Sequence, residues 1–125
     1  MIEVSQKEFE DIITQAVGTI PEPYKSRLQN VAFIAEDEVG QAQSQKMKLA
    51  PGGLLFGLYE GLPLTSRGGA TKLLPDKITI YKKPHELVSQ DLDQFKEKVR
   101  HTIWHEVAHY FGLDHKRIDE LENKG

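Results

Sequence analysis

Four of the chain's five histidines lie in one stretch, HTIWHEVAHYFGLDH, residues 101–115, at intervals of four, four and six residues. On an α-helix, two residues four apart are rotated by only about 40° and separated by about 6 Å of rise, so their side chains share one face. His105 and His109 are therefore predicted to converge on one side of a helix. Any fold that this chain adopts must supply that helix.

The residues around the histidines have the pattern of a long amphipathic helix over residues 89–111. Ser89 is a candidate N-cap, and Gly112 follows the last periodic residue, as glycine commonly does at a helix end. Apolar residues recur at helical intervals through the segment: Leu92, Phe95, Val99, Ile103 and Val107.

The histidine spacing also decides which residues can share a metal ion. Zinc–nitrogen bonds are about 2 Å long, so ligand atoms on one zinc lie within about 4 Å of each other. His101 lies about 12 Å along the helix axis from His109, too far to share its metal. The third ligand must come from beyond the helix, and a turn at Gly112 makes His115 the predicted one. Three nitrogens with one open position are typical of catalytic zinc sites.

Glu106 follows the first predicted ligand, His105, in the sequence. A carboxylate beside a zinc site can accept a proton from water, which makes Glu106 the candidate general base. The chain has no cysteine, so its metal ligands must be nitrogen or oxygen atoms.

Length and charge narrow the possible number of domains, the possible partners and the possible location of the protein. A chain of 125 residues is the size of one domain, and we expect residues 1–125 to form a single one. Its net charge of −3 and pI near 5.9 argue against nucleic acid and anionic membranes as partners. No apolar run approaches the roughly 20 residues of a membrane helix, and the N-terminus does not resemble a signal peptide. We therefore expect a cytoplasmic protein; its oligomeric state stays open.

The rest of the chain predicts an α+β fold, a small twisted sheet packed on helices in the order α, α, β, β, β, α, α. KITIYKK, residues 77–83, alternates isoleucine with threonine and tyrosine, and Pro84 follows it, so it reads as a half-buried edge strand lining the cleft. The other predicted elements are helices over about 5–18 and 23–29, strands over 31–35 and 54–59, and a short helix in the tail after residue 115.

HEVAHYFGLDH matches H-E-x-x-H-x-x-G-x-x-H, the zinc signature of the metzincin metalloendopeptidases. Metzincins also carry a methionine turn after the third histidine, whereas the only methionines here are Met1 and Met47. The chain more closely resembles the small bacterial zincin-like metallopeptidases from about residue 52 onward, in LFGLYEGLPLTSRG, LPDKITIYKKP and TIWHEVAHYFGLD. Members of that family often have aspartate at the position of His115.

This resemblance implies a zincin-like domain that binds one zinc ion per chain and hydrolyses peptide bonds in a peptide or protein substrate. It implies His105, His109 and His115 as zinc ligands and Glu106 as the general base. An extended peptide is expected to add to an exposed strand through main-chain hydrogen bonds.

Two alternative functions stay open. HTIWHEVAHYFGLDH also resembles the histidine segment of the bacterial endoribonucleases that mature ribosomal RNA, which usually have glycine at the position of Glu106. A metal-stabilised interaction domain with little catalysis is the other alternative. Glu106 and the acidic pI favour the peptidase.

For several further residues the sequence supports only weaker predictions. Asp114 is expected to hydrogen-bond a histidine ligand from outside the metal sphere, and Trp104 to pack in the core. His101 is expected either near the site or simply at the surface, and His85 without a chemical role. The resemblance alone suggests that Tyr59 and Arg67 face the cleft. Asp119 and Glu120 are the alternatives to His115 as third ligand.

Overall fold

The computed structural model describes residues 1–40, 54–61, 76–113 and 116. Its elements follow one another as α1 (Gln6–Gly18), α2 (Tyr24–Arg27), β1 (Val31–Glu36), β2 (Gly57–Glu60), β3 (Asp76–Tyr81), α3 (Lys82–Val88) and α4 (Leu92–Tyr110). The predicted α+β fold, a small sheet packed against helices, is confirmed. Among the described helices, none is both long enough and apolar enough to cross a membrane.

The described strands form one mixed sheet with the order β1-β3-β2. β1 runs parallel to β3, with Val31 opposite Asp76, and β2 runs antiparallel to it, with Gly57 opposite Ile80. The prediction that the KITIYKK segment is an edge strand is therefore wrong, because β3 has a neighbour on each side.

Burial explains why the alternation in β3 was misleading. Thr79 and Tyr81 are each only 4% exposed, so helices or loops cover both faces of this strand rather than one. Pro84 lies after the strand, inside α3, where it removes no hydrogen bond from the sheet. The strand that borders α4 at an edge of the sheet is β2.

α4 begins later than the sequence predicted. Its N-cap is Asp91, whose Oδ1 accepts a hydrogen bond from the Gln94 N–H at 2.8 Å, whereas Ser89 is fully buried before the helix starts. At the other end the helix closes with two backbone bonds, Gly112 N–H to the His109 carbonyl and Leu113 N–H to the Ala108 carbonyl, both 3.0 Å. This pair of bonds is a Schellman motif, with Gly112 at a φ of 71°.

The core lies between α1, α4 and the sheet. Phe9 of α1 meets Phe95 of α4 edge-on at a centroid distance of 5.9 Å, and neither ring is exposed. Trp104 is buried in this core, with Tyr24 at 5.5 Å, as predicted. The apolar face of α4 is therefore anchored, and its opposite side is left to present the histidines.

The remaining predicted elements agree with the structure to within a few residues, apart from one omission. Ser5 caps α1, accepting the Glu8 N–H at 3.1 Å. The short helix Lys82–Val88 was not predicted, because Pro84 within it read as part of an edge strand. The predicted helix in the tail lies outside the described residues.

Candidate metal centre

His105 and His109 lie on successive turns of α4, and their rings point to one place. Their Nε2 atoms are 3.2 Å apart, and the ring planes meet at 78°. Both side chains are partly exposed, so the pair is open to solvent. The predicted convergence of these two imidazoles is confirmed.

Glu106 lies between the two histidines in sequence but is more buried, at 9% exposure. Its Oε1 accepts a hydrogen bond from the Tyr59 backbone N–H of β2 at 3.0 Å. Burial raises the pKa of the Glu106 carboxyl to about 7, because loss of water disfavours the charged form, and the Tyr59 N–H opposes part of that rise.

Donor atoms of His105, Glu106 and His109 all lie within 4.8 Å of one another. Two nitrogens that bind one zinc at about 2 Å lie within about 4 Å of each other, and the observed 3.2 Å satisfies that limit. Neutral imidazole and carboxylate are ligand types that zinc accepts. The two histidines therefore fit a zinc ion, with Glu106 beside them.

His115, predicted as the third ligand, lies outside the described residues, and so do Asp114, Asp119, Glu120 and Arg67. The left-handed turn at Gly112, on which the prediction for His115 depends, is present.

β2 reaches Glu106 because it passes unusually close to α4. A Cβ built on Gly57 would lie 2.7 Å from Thr102 Cγ2 and 3.2 Å from Glu106 Cγ. Only glycine leaves room for this approach without displacing the Thr102 side chain. The close contact sets the distance from the Tyr59 N–H to the Glu106 carboxylate.

Tyr59 contributes its backbone rather than its side chain. The Tyr59 hydroxyl donates to Asp76 Oδ2 at 3.2 Å, and its ring meets that of Tyr110 edge-on at 6.2 Å. The resemblance suggested that Tyr59 faces the cleft; the group that reaches the predicted site is its N–H.

His85, which was expected to have no chemical role, is completely buried. Its Nδ1 lies 2.6 Å from the Tyr81 carbonyl and its Nε2 lies 2.8 Å from the Thr102 hydroxyl. Burial lowers the pKa of His85, so the neutral ring is favoured. Sequence reasoning missed Gly57, Thr102 and His85; the signal available was a glycine inside an apolar strand, which often marks a close backbone approach.

A groove of about 770 Å³ runs from His105 and Glu106 along the N-terminal half of α4 and the start of β2. His101, which is exposed, lies in its wall and stacks on His105 at a centroid distance of 6.5 Å. The other lining residues are Leu54, Leu55, Phe56, Gly57, Val88, Glu97, Lys98 and Thr102. The groove is largely apolar on the β2 side and polar on the helix side.

Comparison with known proteins agrees with this geometry. A family model described as zincin-like metallopeptidase matches residues 28–124. Among solved structures, a conserved hypothetical protein from T. thermophilus is similar over 97% of this chain and 100% of its own, with a TM-score of 0.56 and 20% sequence identity. That similarity shows a shared fold. No curated protein matches the chain.

Proposed function

Because the chain belongs to the zincin-like metallopeptidase family, we propose that it is a zinc-dependent peptidase. It would bind one zinc ion per chain through His105, His109 and His115 and hydrolyse peptide bonds in a peptide or protein substrate. Glu106 would act as the general base.

The observation that carries this proposal is the arrangement on α4. Two imidazole nitrogens lie 3.2 Å apart, and a buried carboxylate, held by a backbone N–H, lies beside them. A purely structural zinc site has no use for a neighbouring carboxylate outside the ligand set, because its four positions are filled by ligands. A hydrolytic site needs a proton acceptor at that place.

Zinc, Glu106 and the Tyr59 N–H would each have a separate role in the reaction. Zinc, when bound, supplies a positive charge that makes a water molecule more acidic and polarises a peptide carbonyl. Glu106 takes the proton from the attacking water and passes it to the leaving amine. The Tyr59 N–H, by holding Oε1, restricts the carboxylate to one orientation and leaves Oε2 for the proton.

The groove beside Glu106 is where we place the substrate. An extended peptide lying between the start of β2 and α4 would bring one of its bonds past His105 and Glu106. The apolar side of the groove, formed by Leu55 and Phe56 among others, would favour apolar side chains near the cleaved bond.

The test is metal analysis and cleavage on the same purified protein. We expect one zinc per chain and cleavage of unstructured peptides that stops with a chelator and returns with added zinc. Zinc should also raise the melting temperature, because a ligand that binds only the folded state stabilises it, by about 2.7 kcal/mol when present at 100 times its Kd.

Structured RNA serves as the competing substrate in the same assay. Zinc-dependent RNA cleavage without peptide cleavage would indicate that the protein is a ribonuclease and not a peptidase. Stoichiometric zinc with no turnover of either substrate would indicate an interaction domain. Absence of stoichiometric metal would refute the metal centre itself.

A further inference from the structure

We propose that His85 and Thr102 are positioning residues, which hold β2 against α4 and thereby keep the Tyr59 N–H on the Glu106 carboxylate. Neither side chain belongs to the metal centre, yet both are buried between the elements that form it. The catalytic consequence of this inference rests on the proposed function of Glu106; its structural part does not.

The direction of the two hydrogen bonds follows from the groups involved. The Tyr81 carbonyl can only accept, so His85 Nδ1 carries the proton and donates to it at 2.6 Å. In the neutral ring, which burial favours, Nε2 is then an acceptor, and the Thr102 hydroxyl must donate to it at 2.8 Å.

This bond selects the orientation of Thr102. A threonine in a helix can otherwise donate its hydroxyl to the carbonyl four residues earlier. Because the hydroxyl donates to His85, the Thr102 methyl group Cγ2 points at Gly57. Cγ2 lies 2.7 Å from the position that a Cβ on Gly57 would occupy. Gly57 is two residues before Tyr59, so the contact fixes how β2 lies over Glu106.

His85 also contacts the last residue of β3 and the residue that precedes β2. Its ring meets Phe56 edge-on at 5.1 Å, and the Phe56 carbonyl accepts the Tyr81 N–H at 3.0 Å. One imidazole therefore contacts the residue before β2, the last residue of β3 and, through Thr102, the helix of the metal centre. Removing its link to Thr102 should loosen the sheet edge from α4 at one point without breaking the sheet.

Thr102→Val tests this, because valine keeps the shape of threonine but has no hydroxyl. The readout is hydrogen exchange of backbone amides in metal-free protein. We expect the Tyr59 amide to exchange at least about tenfold faster, the factor that corresponds to one lost hydrogen bond. The Leu58 amide points to β3 instead, since antiparallel pairs alternate, and should change little. Thr14→Val, the same change on the exposed face of α1, is the matched control.

A second variant removes the other partner. His85→Asn retains a donor for the Tyr81 carbonyl but has no counterpart of Nε2. If Thr102 acts only through its bond to His85, adding Thr102→Val to His85→Asn should not expose the Tyr59 amide further, because the bond is already lost. If His85→Asn does not fold, Thr102→Val decides the question by itself.

Two outcomes would overturn the inference. One is unchanged exchange at Tyr59 in folded Thr102→Val; the other is a uniform acceleration across β2, which would show only general destabilisation. Where peptide cleavage is measurable, Thr102→Val should lower kcat about tenfold with KM nearly unchanged. The exchange measurement needs neither zinc nor substrate, so a lack of peptidase activity and a failure of this positioning pair remain distinguishable.

Discussion

Glu106 combines burial with a hydrogen bond from a backbone amide, and the two have opposite effects on its charge. Burial raises the pKa of the carboxyl to about 7 in the metal-free protein, while the Tyr59 N–H opposes that rise. A general base works best when its pKa lies near the pH at which it operates. A cation beside the carboxylate would favour the ionised form that accepts protons.

Glu106→Gln should therefore keep the fold and the zinc but lose hydrolysis. The amide occupies the same space, and its oxygen can accept the Tyr59 N–H, yet it cannot take a proton from water. We expect kcat to fall by about 10²–10⁴. Zinc stoichiometry and kcat are measured on the same sample, with Glu10→Gln, an exposed carboxylate on α1 outside the groove, as the control. Near-full activity in Glu106→Gln would exclude it as the base.

The third metal ligand is the residue that zinc affinity can test most directly. His115→Ala should weaken zinc binding severely, because it would remove one of the three proposed protein ligands. His115→Asp should retain measurable affinity, because a carboxylate oxygen also binds zinc. Affinity is measured by competition with a chelating dye. Asp114→Asn is the control, since a residue that only hydrogen-bonds a ligand, as we expect of Asp114, typically changes affinity by only about 10–100-fold. Equal affinities for wild type and His115→Ala would make Asp119 or Glu120 the ligand to examine.

At the scale of elements, the site depends on how closely β2 lies over α4. Gly57→Ala should push the two apart, because the new Cβ would meet Thr102 Cγ2 at 2.7 Å. Overpacking of this kind costs about 1–3 kcal/mol, and we expect kcat to fall as the Tyr59 N–H moves off Glu106. Denaturant unfolding and kcat are the measurements.

Gly18→Ala is the matched control for that substitution, because no atom lies within 4 Å of a Cβ at Gly18. It should leave activity unchanged and keep stability within about 1 kcal/mol. If Gly57→Ala behaved like Gly18→Ala, the close approach of β2 would have no bearing on the site.

The end of α4 is the second element that shapes the site. Gly112 has a φ of 71°, which costs a residue with a Cβ roughly 1–2 kcal/mol. Gly112→Ala should lower stability by that amount and weaken zinc binding, because it would disturb the turn on which the proposed placement of His115 depends. Gly112→Asn should lose less stability and less zinc affinity than Gly112→Ala, since asparagine tolerates this conformation better than alanine does. Identical zinc affinities in wild type, Gly112→Ala and Gly112→Asn would show that the Schellman turn does not affect the metal centre.

For the whole molecule, the buried carboxyl predicts a pH-dependent stability in the absence of metal. The pKa of Glu106 rises from about 4.5 in the unfolded chain to about 7 in the folded one. As pH rises from 4.5 to 7, the unfolded chain ionises this group and the folded protein does not, so stability falls across that window and then stays level. A shift of this size corresponds to about 3 kcal/mol at most.

Glu106→Gln isolates that effect in the presence of a chelator. The variant should match wild type near pH 4.5 and exceed it in free energy of unfolding above pH 7. The comparison is made between variants because His85 also makes stability depend on pH. Burial lowers the pKa of His85, so the free energy of unfolding decreases as pH falls below 6.5, the ordinary pKa of histidine. Glu10→Gln, on the exposed face of α1, is the control. A constant difference at every pH would contradict the burial of Glu106 as the cause.

Much of the candidate site follows from local spacing along the chain. The convergence of His105 and His109 depends only on the helical period, and the turn at Gly112 depends only on the ability of glycine to adopt a positive φ. The apolar periodicity of α4 likewise indicated which of its faces would be buried. These predictions held because each concerns residues within a few positions of one another.

The strand order and the environment of Glu106 were decided by contacts between distant residues. Tyr59 and Glu106 are 47 positions apart, and nothing in either segment specifies that they meet. KITIYKK alternates like an edge strand, yet β1 and β2 flank it and its Thr79 and Tyr81 side chains are buried. Alternation shows which neighbouring side chains differ in polarity, not what covers each face of the strand. Only the packed structure determines that β2 borders the site and that Glu106 is buried, and this burial raises its pKa.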